Sequence, residues 1–287
     1  MKLSLQTVFE SPLLAIRYAQ ARPSAQAISE IETETADLLL LPLTGVFAKH
    51  DKPGQHYIAN PNHALLLAAQ QPYRISFPDQ RGDDSLVLEF APAVLQNLLN
   101  EMLGVDKLAT PCLAAHGLLQ APALLQRQGL WLGLQTASST TLEVESSSLM
   151  LCAAALQAAS CEPPAIKRNS RSLTLARQQA QVEHVKALIS LAPANDWSLA
   201  KLATEVHTTP FHLLRIFRQQ VGITVHQYQL RSRLLQALAA MREGQHNLTE
   251  IALAAGFAQH SHFSSSFRAL FGFPPSAWYR RLARKRF

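Results

Sequence analysis

Two stretches of this sequence combine hydrogen-bond donors with an apolar row at helical spacing. In His207–Gly222 (HTTPFHLLRIFRQQVG), 100° per residue puts Leu213, Ile216, Phe217 and Val221 on one face and Phe211, Arg215 and Arg218 opposite. In His260–Gly272 (HSHFSSSFRALFG), Phe263, Phe267, Leu270 and Phe271 share a face, and Ser261, Ser265 and Arg268 lie opposite. A guanidinium is a fixed fork of donors that fits a carboxylate, a phosphate or the O6 and N7 of guanine. A serine hydroxyl reaches phosphates and ordered water more readily than it separates one base from another. Chemistry of recognition is therefore present, and the first stretch is the better equipped for it.

Chemistry of catalysis is harder to find. His50, His56 and His63 with Glu89 are residue types that hold metals, but the histidines are spaced by six and seven with prolines between them. Without a His-x-His pair, histidines in surface loops are the better reading. Cys112, Cys152 and Cys161 form no Cys-x-x-Cys pair and read as small apolar fillers in a reducing compartment. There is no Gly-x-Ser-x-Gly elbow and no glycine-rich phosphate loop. No cofactor, metal or catalytic residue is assigned, and a non-enzyme is expected. A metal-dependent barrel enzyme and a protein-binding module are the rival classes.

The elements that must position the two stretches repeat. Leu202-Ala203 and Ile251-Ala252 match at an offset of 49; Leu213, Phe217, Arg218 and Gly222 match Phe263, Phe267, Arg268 and Gly272 at an offset of 50. The chain thus holds two copies of helix, short turn, helix, with one more residue in the second turn. The small residues Ala203 and Ala252 leave room for the helices to cross. Six helices are expected here, around 182–192, 199–206, 213–221, 225–243, 248–255 and 263–271. Glycines 222, 244, 256 and 272 close four of them. The helix from Val225 to Glu243 has 19 residues, so it spans roughly 28 Å and could set two recognition helices about one DNA turn apart.

Charge divides along the same line. Residues 1–166 hold 9 basic and 15 acidic side chains, a balance of −6; residues 167–287 hold 17 and 5, a balance of +12. A basic half joined to an acidic half predicts a polyanion for the basic half. The switch falls at CEPPAIKRNSRS, where paired prolines and polar residues mark a linker. The expected domains are 1–160, a linker at 161–172, and 173–287. No apolar run approaches the ~18 residues of a membrane span, and Glu10 interrupts any signal-peptide core, so a cytoplasmic location is expected.

The stretch Ser198–Arg280 resembles the DNA-binding domain of the AraC/XylS family of bacterial transcription regulators. The likeness is carried by LAKLA, HLLRIFRQQVG, the Tyr228–Arg233 segment, IALAAGF, SHFSSSFRALFG and the closing PPSAWYR. It implies a sequence-specific activator or repressor that uses two recognition helices on double-stranded DNA. By motif position it implies Phe211, His212, Leu214 and Arg215 facing the groove in the first copy, and His260, Ser261, Ser264 and Ser265 in the second. Leu214 departs from the family pattern, which often has a polar base reader there.

Residues 1–90 read as short strands near ten-residue spacing, among them Asp37–Leu41, Gly45–Lys49, His56–Ala59, Ala64–Ala69, Tyr73–Phe77 and Ser85–Phe90. Helical spacing begins at Pro92. The fold class expected is α+β in two domains. The family resemblance implies that the first is a small cupin-like β-barrel followed by helices, binding a small-molecule effector. The stripe Leu149, Cys152, Ala153 and Leu156 within Glu143–Ala159 is a candidate homodimer contact. RNA polymerase is a further candidate partner.

Overall fold

The computed structural model describes residues 1–23, 28–52, 55–103, 116–160, 172–244 and 247–284. Residues 161–171 of the expected linker, Cys112, Cys161, Lys285 and Arg286 lie outside the described residues. Close packing divides the chain into two units, Met1–Gly45 with Pro61–Cys161, and Val46–Asn60 with Glu162–Phe287. This departs from the contiguous 1–160 and 173–287 division at one place: residues 46–60 group with the C-terminal helices.

The strands are β1 (Lys2–Glu10), β2 (Leu14–Arg22), β3 (Leu38–Gly45), β4 (Phe47–Lys52), β5 (Gln55–Ala59), β6 (His63–Leu67), β7 (Arg74–Ser76), β8 (Asp83–Phe90) and β9 (His116–Leu118). Helix α1 (Pro92–Leu103) precedes β9, and α2 (Ala121–Gln135) and α3 (Thr141–Ser160) follow it.

The first unit is built on an antiparallel sheet in the order β1-β2-β8-β3-β6-β9. Ile16, Leu39, Leu41, Leu65, Leu86 and Leu88 are buried on it. Tyr18 of β2 stacks on Trp131 of α2 at 4.6 Å, which ties helix to sheet. Strand β9 lies so close to α3 that a Cβ at Gly117 would meet the Ala158 carbonyl carbon at 2.5 Å. Pro42 does not end β3. The β3–β8 register shifts between Pro42 and Thr44, at a residue with no N–H to donate.

The first unit shows no closed barrel among the described residues. Among the described residues β1 and β9 are the two ends of an open sheet. Strand spacing specifies strands, but closure depends on tilt and stagger between distant strands, which no local pattern encodes. The dimer stripe is covered in part by its own unit. Cys152 and Leu156 are buried within their own unit, and burial pushes the Cys152 thiol up to about 12. Only Leu149 and Ala153 of that stripe remain half-buried.

In the second unit come α4 (Ser172–Leu191), α5 (Leu199–Glu205), α6 (Pro210–Val221), α7 (Val225–Glu243), α8 (Leu248–Ala254), α9 (His260–Phe271) and α10 (Pro275–Arg284). Helix α4 begins ten residues before Val182, and α10 is a helix where the sequence reading has only closing motif and basic tail. Four helix starts in and between the repeats are capped by a side chain. Ser198 Oγ accepts the Lys201 N–H at the start of α5, and Thr209 Oγ1 accepts the His212 N–H at the start of α6. Thr224 with Gln227 and Asn247 with Glu250 form capping boxes for α7 and α8. Phe217, Tyr228, Phe257, Phe263 and Phe267 are buried to within 1 % of complete and fill the centre. None of the described helices is long and apolar enough to cross a membrane.

Candidate nucleic-acid interface

The pairs α5–α6 and α8–α9 keep the two offsets read from sequence. Helices α5 and α8 start 49 residues apart, and α6 and α9 start 50 apart. The additional residue lies in the turn, which runs 206–209 in the first copy and 255–259 in the second. Ala203 and Ala252 are buried at 1 % and 0 % exposure, as close crossing of the two helices requires.

Helix α6 presents a split surface. Leu213, Ile216 and Phe217 face the core, while Phe211, Leu214, Arg215 and Arg218 are exposed and His212 is half-buried. Phe211 is 81 % exposed, an unusual position for a phenylalanine with nothing to cover it. Arg215 Nη2 donates to His212 Nδ1 at 3.3 Å, so one turn of helix holds the guanidinium over the start of α6. The backbone N–H groups of that first turn and the Arg215 charge favour the same kind of partner, an anion or an electron-rich base edge.

Helix α9 repeats the geometry with different chemistry. Phe263, Phe267 and Phe271 are buried, with rings 5.8 and 4.7 Å apart in sequence, and Phe267 also meets Phe273 at 6.0 Å. His260, Ser261, Ser265 and Arg268 are exposed and Ser264 is half-buried. Several of these hydroxyls have local partners: Ser265 Oγ donates to the His262 carbonyl at 3.0 Å, and Ser264 Oγ lies 3.2 Å from His260 Nε2. A hydroxyl satisfied within its own helix has less left for a ligand.

All ten side chains read from sequence as contacts thus lie on exposed or half-buried positions of α6 and α9. The net charge overstates the cations that accompany them. Lys186 is 2 % exposed and pairs with Glu183 at 2.9 Å. Arg231 is buried, which lowers its pKa, and Arg233 donates to the carbonyls of Pro193 and Asn195 at 2.8 and 2.9 Å. Those three cations hold the fold together.

The sequence reading missed a cleft beside the start of α6. It measures about 780 Å³ and is lined by Arg177 and Gln181 of α4 together with Thr204, His207, Thr209 and His212. Nothing local joins Arg177 to His212; the packing of α4 on α6 does. His207, at φ 50°, occupies the turn position that Gly256 holds in the second copy at φ 85°. That substitution was readable from the offset of 49. At Gly256 a Cβ would meet Ala194 Cα at 2.6 Å, so this turn needs glycine for conformation and for space.

Residues 202–281 match the family described as helix-turn-helix domain. Over 81 residues the chain is 37 % identical to a probable transcriptional regulator, LumQ, of Photobacterium leiognathi, covering 28 % of this chain and 33 % of that protein. Over 63 residues it is 40 % identical to the HTH-type transcriptional activator RhaS of Salmonella arizonae, covering 22 % and 23 %. The chain thus spans about a third of the length of the first of these relatives and less of the second. Among solved structures, a transcriptional regulator with an AraC-type DNA-binding domain from Chromobacterium violaceum aligns at 27 % identity and a TM-score of 0.35, over 38 % of this chain and 97 % of that one.

Proposed function

With residues 202–281 matching a helix-turn-helix domain, we propose that the chain is a sequence-specific transcription regulator of the AraC/XylS kind that reads two major grooves of double-stranded DNA with α6 and α9. The observation that carries this is the duplicated pair itself. Each copy sets an exposed face bearing arginine, histidine or serine on a helix whose opposite face is buried in the core. A rigid helix held that way can meet base edges without paying ordering entropy on binding.

Roles within the interface follow from reach and charge. Arg215 is the base reader of the first copy, through two parallel hydrogen bonds to one guanine. Arg218 and Arg268 contact phosphates, Phe211 and Leu214 make apolar contacts in the groove, and the α9 hydroxyls fix position. His212 holds Arg215 in place. The first unit is the regulatory part, responding to a small molecule or to a second copy of the chain.

Selection of bound duplexes from random DNA by the full chain tests the reading. The expected result is a recovered motif with two elements about one helical turn apart. Affinity for it should fall with salt, log K dropping by ~0.9 per phosphate neutralised for each unit of log salt. Recovery of no motif, or binding indifferent to salt, overturns it.

A further inference from the structure

The hairpin β4–β5 leaves the first unit's sheet and is built into the second unit. Its apolar face, Val46, Ala48 and Ile58, is buried against Ala187 and Leu191 of α4. Glu183, Ala187 and Leu191 are four residues apart in succession, so one stripe of α4 is devoted to this contact. The polar atoms agree with the apolar ones. Glu183 Oε2 accepts the Ile58 N–H at 2.5 Å and is held by Lys186, both side chains being more than nine-tenths buried. A buried ion pair is tolerated only where further hydrogen bonds complete it, and the hairpin's backbone supplies one.

The end of the hairpin reaches further. Asn60, 2 % exposed, donates through Nδ2 to the Tyr228 hydroxyl at 2.7 Å and to Ser190 Oγ. Tyr228 lies in the first turn of α7, fully buried, and its ring meets the Phe217 ring edge-on at 5.6 Å. Phe217 is the central core residue of α6, one residue from Arg218 and two from Arg215. An unbroken contact path therefore runs from the hairpin to the first recognition helix. Helix α9 rests instead on its own row of phenylalanines.

We propose that Val46–Asn60 is a strap that seats α6 through Asn60, Tyr228 and Phe217, making Asn60 and Tyr228 positioning residues for DNA reading by the first copy. The strap is joined covalently to the first unit at both ends, to Gly45 of β3 and to Pro61 just before β6. A change in how β3 pairs with β6 therefore reaches α6 through this hairpin and reaches α9 only indirectly. The effect on DNA rests on the function proposed above; the seating of α6 does not.

Hydrogen exchange on the full chain separates the two. Asn60→Ala removes both side-chain donations, and Tyr228→Phe removes only the hydroxyl while keeping the ring on Phe217. Each should speed exchange of the α6 amides about fivefold relative to those of α9, the order expected from one lost hydrogen bond. The double variant should exchange more slowly than the product of the two single effects, because both changes remove the same Asn60–Tyr228 bond. Equal acceleration in α6 and α9, no acceleration in α6, or additive effects would each overturn the strap. Affinity for a duplex selected from random DNA should fall about fivefold in Asn60→Ala, and unchanged affinity would overturn its role in DNA reading. If the unaltered chain selects no duplex, the proposed function fails, while the exchange result still decides the strap.

Discussion

In the first helix-turn-helix copy, α6 starts from Thr209, whose hydroxyl accepts the His212 N–H, with Pro210 behind it; in the second, α9 starts from Gln259, whose side chain caps nothing. The turns differ in the opposite sense. Gly256 adopts its left-handed conformation freely, while His207 holds the same region of backbone space with a side chain attached. The first copy thus combines a well-capped recognition helix with a strained turn, and the second an uncapped helix with a relaxed one. Their cores match at Leu213 with Phe263 and Phe217 with Phe267, while the buried Ile216 of the first copy is replaced by the buried Ser266 in the second. Repeats diverge where a partner or a local bond sets the residue, and hold more closely where packing density sets it.

The largest expected effect lies in the turns. Gly256→Ala places a Cβ against Ala194 in a left-handed conformation and should destabilise the second unit by roughly 2–4 kcal/mol in denaturant titration. A loss under ~1 kcal/mol would mean that the two turns are interchangeable.

Arg215 against Ser265 sharpens the contrast at the interface, since the two occupy corresponding positions. Arg215→Ala should cost ~1–3 kcal/mol on the selected duplex and relax preference at one base pair. Ser265→Ala, which removes a hydroxyl already bonded to the His262 carbonyl, should change affinity little. Binding measured on duplexes altered one base pair at a time decides it. Uniform weakening by Arg215→Ala would make that arginine a phosphate contact.

The caps come next. Thr209→Ala should lower stability by ~1 kcal/mol in thermal unfolding, and Gln259→Ala by almost nothing. Replacing Gln259 by Thr should give the second helix what the first has and raise stability by a similar amount. Equal effects of the two alanine variants would erase the asymmetry. The smallest change is His207→Gly, expected to add up to ~1 kcal/mol by relieving the turn. Because His207 lines the cleft with Arg177 and His212, its effect on DNA affinity should be measured alongside.

These contrasts were legible in sequence to unequal degrees. The bounds of α7, Val225–Glu243, agree with the expected ones because a capping residue, an apolar period and a closing glycine all act within a few residues. The offsets of 49 and 50 survive for the same reason. What depended on distant pairing did not show. The strand order of the sheet, the burial of Cys152 and Leu156 inside their own unit, and the cleft shared by Arg177 and His212 are all set between segments far apart in the chain. His50 and His56 do face each other across β4–β5, rings 5.3 Å apart, but no three metal-ligating side chains gather among the described residues. The hairpin's membership of the second unit is the plainest case: its apolar face, Val46, Ala48 and Ile58, would suit either neighbour.

That membership has a consequence for synthesis. The Ile58–Glu183 bond joins residues 125 apart, and the Asn60–Tyr228 bond joins residues 168 apart. Ribosomes add ~5–20 residues per second, so the hairpin exists for on the order of ten seconds before α4 has been made. Strands β3 and β6 can pair around it in that time, leaving its apolar face bare. The second unit is completed last, and its completion carries the entropic cost of closing a long loop, which the winding of a helix does not.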